Sequence, residues 1–252
     1  MLKIAFVSLS LTLSAALLSS PSFGQTLFGV GVTAGSLGAG AQGAVSVTKH
    51  SNIRGGFNLF SFSDHFTKDG VPYSGTLKLR SAQLTYDQYI PHLGGFHISP
   101  GALIYDGNSG NAAANVPAGQ TFTLGGVTYY SGAANPAVGT GTISFQKAAP
   151  MVLFGFGNLL PRSRRRFGVS LEAGVVFQGS PNAKLNLGGT SCLINATAGC
   201  VNTATDPGVQ ANVQSEQTKL NNTLKPFKYY PVISLGFSYK FSKSNVTRAL
   251  QR

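Results

Sequence analysis

The stretch Pro231-Val-Ile-Ser-Leu-Gly-Phe-Ser-Tyr-Lys-Phe241 decides how the rest of the chain reads. Ile233, Leu235, Phe237, Tyr239 and Phe241 alternate with Ser234, Gly236, Ser238 and Lys240. Successive strand side chains point to opposite faces, so one face here is greasy and the other small and polar. Residues 167–179 repeat the pattern. Phe167, Val169, Leu171, Ala173, Val175 and Phe177 oppose Gly168, Ser170, Glu172, Gly174 and Gln178, with Val176 breaking the rule.

Working outward from these two segments, alternation marks eight strands at about 27–35, 38–48, 53–63, 75–89, 95–106, 141–156, 167–179 and 229–241. Residues 26–47 also read as one long glycine-rich strand; an even strand count favours two strands joined at Ser36-Leu37. In 75–89 the parity flips after Ser81-Ala82, which points to a bulge. Connections near 49–52, 91–94 and 158–166 are short, whereas 64–74, 107–140 and 180–228 are long. Short turns at one rim and long loops at the other are the asymmetry of a membrane barrel.

Composition agrees with this class and excludes others. The 252 residues include 32 Gly, 12 Pro and 2 Cys, and only 10% are charged, against about 25% in an ordinary soluble domain. A soluble sandwich shows many charges on its wet face; here that face is mostly Gly and Ser. Small residues suit the narrow interior of eight strands. Phe60, Phe62, Tyr86, Tyr89, Tyr229, Tyr230, Tyr239 and Phe241 sit near strand ends, as interfacial girdles do. Expectation: an all-β, eight-stranded antiparallel up-and-down transmembrane β-barrel with long loops on one rim.

The net charge of +12 arises from scarce acids, 7 against 19 bases. The one dense basic run, Arg162, Arg164, Arg165 and Arg166, is not interleaved with aromatics, so nucleic acid is not the expected partner. A diffuse positive excess suits an anionic envelope, phospholipid or lipopolysaccharide. Lys3, the apolar run 4–18 and the small residues Ser22 and Gly24 have the layout of a cleaved secretory signal over 1–24. The barrel is then 25–241 and 242–252 a C-terminal tail, of a protein exported to a bacterial outer membrane.

The final strand, closing on Phe241, is similar to the terminal assembly signal of Gram-negative outer-membrane barrels. Gly35-Ser-Leu-Gly-Ala-Gly40, Ile53-Arg-Gly-Gly-Phe-Asn58, Phe96-His-Ile-Ser-Pro-Gly101 and Phe167-Gly-Val-Ser-Leu-Glu-Ala-Gly174 resemble strands of small outer-membrane proteins of porin-like or OmpA/OmpW-like type. Eleven residues follow Phe241, whereas that signal commonly ends the chain. The resemblance implies location, architecture and handling by the barrel assembly machinery, more than an activity. It leaves the oligomeric state open.

Candidate site residues follow from parity. Arg54, Lys78, Arg80, Glu172 and Lys240, with Asp87 or Gln146, form an expected luminal polar network. Charges inside a narrow barrel need partners. Mutual ion pairs give a plug; a selectivity filter is the functional alternative. The excess of bases leaves room for an anion or water. His97 and Ser99 share a strand face, the pairing some lipid A deacylases use, but no acid adjoins them. Cys192 and Cys200 bracket seven residues of the longest loop, and an oxidising periplasm makes a disulfide there. No donor set suits a metal and no motif a cofactor. Asp206-Pro207 opens a helix through Leu224, a lid or gate on the long-loop rim, and 121–130 reads as a surface hairpin around Gly125-Gly126. The expected function is structural or surface-interaction, without catalysis. The alternatives are a narrow channel for small solutes and a lipid A-modifying enzyme built on His97 and Ser99.

Overall fold

A computed structural model describes residues 27–68, 70–105, 108–161, 165–193 and 199–241. The signal segment 1–24, the tail 242–252, Arg162 and Arg164 lie outside the described residues. The strands are β1 Phe28–Gly35, β2 Gly38–Thr48, β3 Ser51–Lys68, β4 Val71–Tyr89, β5 His97–Tyr105, β6 Ser109–Asn115, β7 Thr121–Leu124, β8 Val127–Ser131, β9 Val138–Ser144, β10 Ala148–Gly157, β11 Phe167–Val176, β12 Asn182–Gly188, β13 Thr190–Leu193, β14 Val201–Asn202 and β15 Tyr230–Phe241. One α-helix, α1, spans Pro207–Leu224 and runs into a 3-10 turn, Lys225–Lys228.

Eight of these strands close on themselves. β1 pairs with β2, then β3, β4, β5, β10, β11 and β15, and β15 returns to β1, every pairing antiparallel. The glycine-rich segment therefore forms two strands, turning at Ser36-Leu37 with Gly38 at φ 103°. The lower rim carries the turns 49–50 and 90–96, and the described residues 158–161 and 165–166 between β10 and β11. Residue 27, where the described chain begins, lies there too, as does Phe241.

The upper rim departs from the sequence reading. The β3–β4 hairpin pairs continuously from Ser51↔Gln88 to Lys68↔Val71, far above the ring. β6, β9 and β12 add to the upper half of β4 and prolong this sheet. The segment expected as one strand, 141–156, is two: β9 in the extension and β10 in the ring. A four-stranded sheet, β14-β13-β8-β7, and α1 complete the upper body. It contains the expected hairpin, with Gly125 and Gly126 both at positive φ, and the Cys192–Cys200 disulfide.

No bulge exists in β4 at Ser81-Ala82, because its pairing with β3 has no register shift there. The shift lies elsewhere, at Ser46/Thr48 between β2 and β3. The parity flip has another cause. Below this level the outward residues are apolar (Leu59, Ala82, Leu84, Tyr86); above it they are polar (Ser61, Ser63, Thr76, Lys78). The strands stay regular while the surroundings of each face change.

Candidate functional site: the filled interior of the ring

The inward side chains form three layers. At the lower rim the β10–β11 turn folds into the opening. Leu159 and Leu160 pack on Ala44 and Leu27. Asn158 Oδ1 accepts from the Leu160 N–H (2.7 Å) and from Asn52 Nδ2 (3.3 Å), fixing the turn to β3. Lys240 Nζ donates to the Pro161 carbonyl.

The middle layer is charged and buried. Arg54 is 2% exposed on β3. Its Nη1 and Nη2 clasp Glu172 of β11 at 2.8 and 2.6 Å, a fork-on-fork pair across the ring. Nε and Nη2 also donate to Asp87 Oδ1 of β4 at 3.3 and 3.0 Å, and Nη1 donates to Gln42 Oε1 of β2 at 3.2 Å. Thr85 Oγ1 donates to Asp87 (3.1 Å) and Ser234 Oγ of β15 to Glu172 (3.4 Å). His97 of β5 places Nε2 3.2 Å from Glu172 Oε1 and Nδ1 3.2 Å from the Gly95 carbonyl. Its ring lies against Tyr89, centroids 4.9 Å apart. Six of the eight ring strands are thus tied through one guanidinium and its two carboxylates.

Glycine makes room for this layer. A Cβ on Gly155 would stand 2.5 Å from His97 Nε2 and 2.9 Å from Glu172 Cγ. The upper layer is apolar: Leu103, Ala149, Met151, Leu153, Val176 and Val232, with Leu37 and Tyr230 against it.

Of the expected network, the structure brings together Arg54, Glu172 and Asp87. Lys78 and Arg80 stand elsewhere, exposed on the outward face of β4 above the ring. Parity explains the correction. Ser81, Gln83, Thr85, Asp87 and Tyr89 face inward, so even-numbered residues of this unbroken strand face out. Lys240 holds the lower turn, and Gln146 is exposed near Gly179. The expected room for an anion is also corrected. In the buried layer two carboxylates face one guanidinium, so acids outnumber arginine there. Sequence reasoning left out Gln42 and Thr85; the available signals were a lone polar side chain among glycines and alanines at Gln42 and the alternation of Thr85 with Leu84 and Tyr86.

His97 and Ser99 share the inward face, yet both His97 nitrogens are engaged with Glu172 and Gly95. Ser99 Oγ is buried without a hydrogen-bond partner. Ser99 is 0% exposed, and no base among the described residues hydrogen-bonds its hydroxyl. Among the described residues no cluster of three His, Cys, Asp or Glu is placed to hold a metal.

The fold has solved counterparts. Acinetobacter baumannii CarO2 superposes with a TM-score of 0.54 at 20% identity, over 86% of this chain and all of that one. A. baumannii CarO gives 0.51 at 20% identity, over 84% and 97%. At that identity the likeness is one of fold. No protein-family model and no curated protein matches the sequence.

Proposed function

We propose that this chain is an outer-membrane β-barrel protein. Its eight-stranded ring crosses the bilayer with a sealed interior, and its function resides in the upper body. One observation carries the reading. Up to the level of Leu59 and Ala82 the outward face of the ring is largely apolar, and large side chains stand exposed around it: Val32 60%, Phe57 53%, Leu84 57%, Phe156 59%, Leu171 55%, Ile233 61%. A belt of this size costs too much in water, where contiguous apolar patches rarely exceed a few hundred Å². In lipid it is the required surface, and ring closure leaves no unpaired strand edge there.

Both edges of the belt fit an interface. At the lower rim Phe28, Phe241, Tyr239 and Phe167 form a run of contacting rings, and Phe96 meets Phe156. Arg166 lies beside it, its Nη1 3.5 Å from the Tyr239 hydroxyl. At the upper edge Lys78 and Arg80 stand at the height where anionic lipopolysaccharide or phospholipid headgroups begin. The aromatics assigned to girdles divide accordingly. Tyr86, Tyr239 and Phe241 belong to the belt, whereas Phe60 and Phe62 face the interior side of the extension and Tyr89 lies inside.

The three interior layers favour a structural or surface-interaction role over conduction. Planar-bilayer recording tests this: the intact protein gives no stepwise conductance, and resolved single-channel steps would establish the channel reading instead. Mass spectrometry of lipid A from cells with and without the protein gives identical profiles under the same reading. A difference that vanished with Ser99→Ala would establish the enzyme. Location is read by fractionation with boiled and unboiled gels. The protein sediments with outer membranes and changes mobility on heating; recovery in the soluble fraction would refute the assignment.

A further inference from the structure

A cavity of about 220 Å³ opens at the upper rim, directly above the apolar layer of the ring. One wall is the inward face of β4, Leu77 and Leu79. The other is the segment leading from α1 into β15, with Phe227 and Tyr230. Ile143 and Phe145 close a third side. The wall segment is fixed: the Tyr230 hydroxyl donates to the Ser36 carbonyl at 2.6 Å, and Gln178 Nε2 donates to the Phe227 carbonyl at 2.8 Å. The space is therefore formed before anything enters it, which lowers the ordering cost of binding.

The lining states what fits. In a chain of net charge +12, no charged side chain among the described residues borders this cavity. An ion entering it would lose its hydration without a counter-charge. The volume lies below the ~300–1,000 Å³ of drug-sized sites, which limits the occupant to one or two rings. The polar lining is sparse. Asn108 Oδ1 already accepts from the Arg80 N–H, and the Gln178 amide holds Phe227. Ser81 differs: it is 7% exposed, and its hydroxyl bonds to no described residue. A hydroxyl that lines an apolar cavity without a partner of its own can form one hydrogen bond with an occupant.

We propose that this cavity binds a small neutral aromatic molecule carrying a single hydroxyl, with its rings between β4 and Phe227 and its hydroxyl on Ser81. The site lies in the upper body and does not depend on what surrounds the ring below. The chain contains no tryptophan, so Phe227→Trp supplies a lone fluorescent reporter in the wall. In phospholipid vesicles, 2-naphthol quenches this reporter saturably and several-fold more tightly than naphthalene, while 2-naphthoate produces no saturable quenching. Adding Ser81→Ala brings 2-naphthol down to the affinity of naphthalene, a loss of about 5-fold. Adding Ile143→Phe, which fills the cavity, abolishes saturation. A reporter at Ile233→Trp, on the belt, shows only linear quenching from partition into lipid. Heat-shifted gel mobility confirms folding of each variant, and Phe145→Trp serves as reporter where Phe227→Trp misfolds. The proposal is overturned by absence of saturation, by an unchanged affinity with Ser81→Ala, by equal binding of 2-naphthoate, or by equal saturation at the belt reporter.

Discussion

Arg54 concentrates the electrostatics of the ring in one side chain. Its guanidinium satisfies two carboxylates and Gln42 at once, and no water-facing route replaces those bonds. Removing one partner of a buried pair leaves an uncompensated charge, so Arg54→Ala lowers stability by about 3–5 kcal/mol. Urea unfolding of the protein in phospholipid vesicles measures this loss. The triple change Arg54→Met, Glu172→Gln, Asp87→Asn costs less than the sum of the single changes, because it removes the charges together. Gly155 is the second sensitive position. Gly155→Ala drives a methyl into the His97 ring and destabilises by about 1–3 kcal/mol, by the same measurement.

At the scale of elements, α1 matters for what it covers. Asp206 caps it, Oδ1 accepting from the Val209 N–H at 2.9 Å, and Val209 and Val213 bury against Tyr129. Four residues apart and so on one helix face, Gln217 and Asn221 bond the edge of β12: Gln217 Oε1 accepts from Leu185 N–H, and Asn221 takes both the N–H and the carbonyl of Ala183. An open strand edge invites pairing with another chain, and these amides occupy it. Asp206→Ala weakens the helix by about 1 kcal/mol. Hydrogen exchange quickens in α1 and β12, while the ring strands exchange as before. Such a split separates a local lid from the ring that carries it.

Across the whole molecule, the two faces of the sheet trade polarity at one level. Below Leu59 and Ala82 the outward side is apolar, while the inward side of β3 and β4 is mostly polar. Above, Lys78, Thr142 and Lys184 face out, while Leu77, Ile143 and Leu185 face the upper body. Leu235→Arg, on the belt, therefore costs about 2–4 kcal/mol in vesicles. Thr142→Arg, on the same outward side of the extension, changes stability by less than about 0.5 kcal/mol. Equal costs at the two sites would contradict a lipid boundary between them.

Period-two alternation in 167–179 and 231–241 was enough to read the ring strands, because each is bathed on one side by a single kind of surroundings. Asp206-Pro207 and the Cys192 and Cys200 spacing were legible for a similar reason, since caps and a short disulfide loop are local devices. The extension was not. β6 and β9 are rich in Gly, Ala, Ser and Thr, with little apolar contrast between their faces; β12 alternates clearly, Ala183, Leu185 and Leu187 against Asn182, Lys184 and Asn186, but lies far along the chain from the β9 it pairs with, as β6 does from β4. Parity alone likewise placed Lys78 and Arg80 beside Arg54, because a sequence carries alternation but not the height at which the outward face turns from apolar to polar. That height, and the meeting of Arg54 with Glu172 across the ring, exist only once the strands have closed, since distance in space and not order along the chain sets which charges pair.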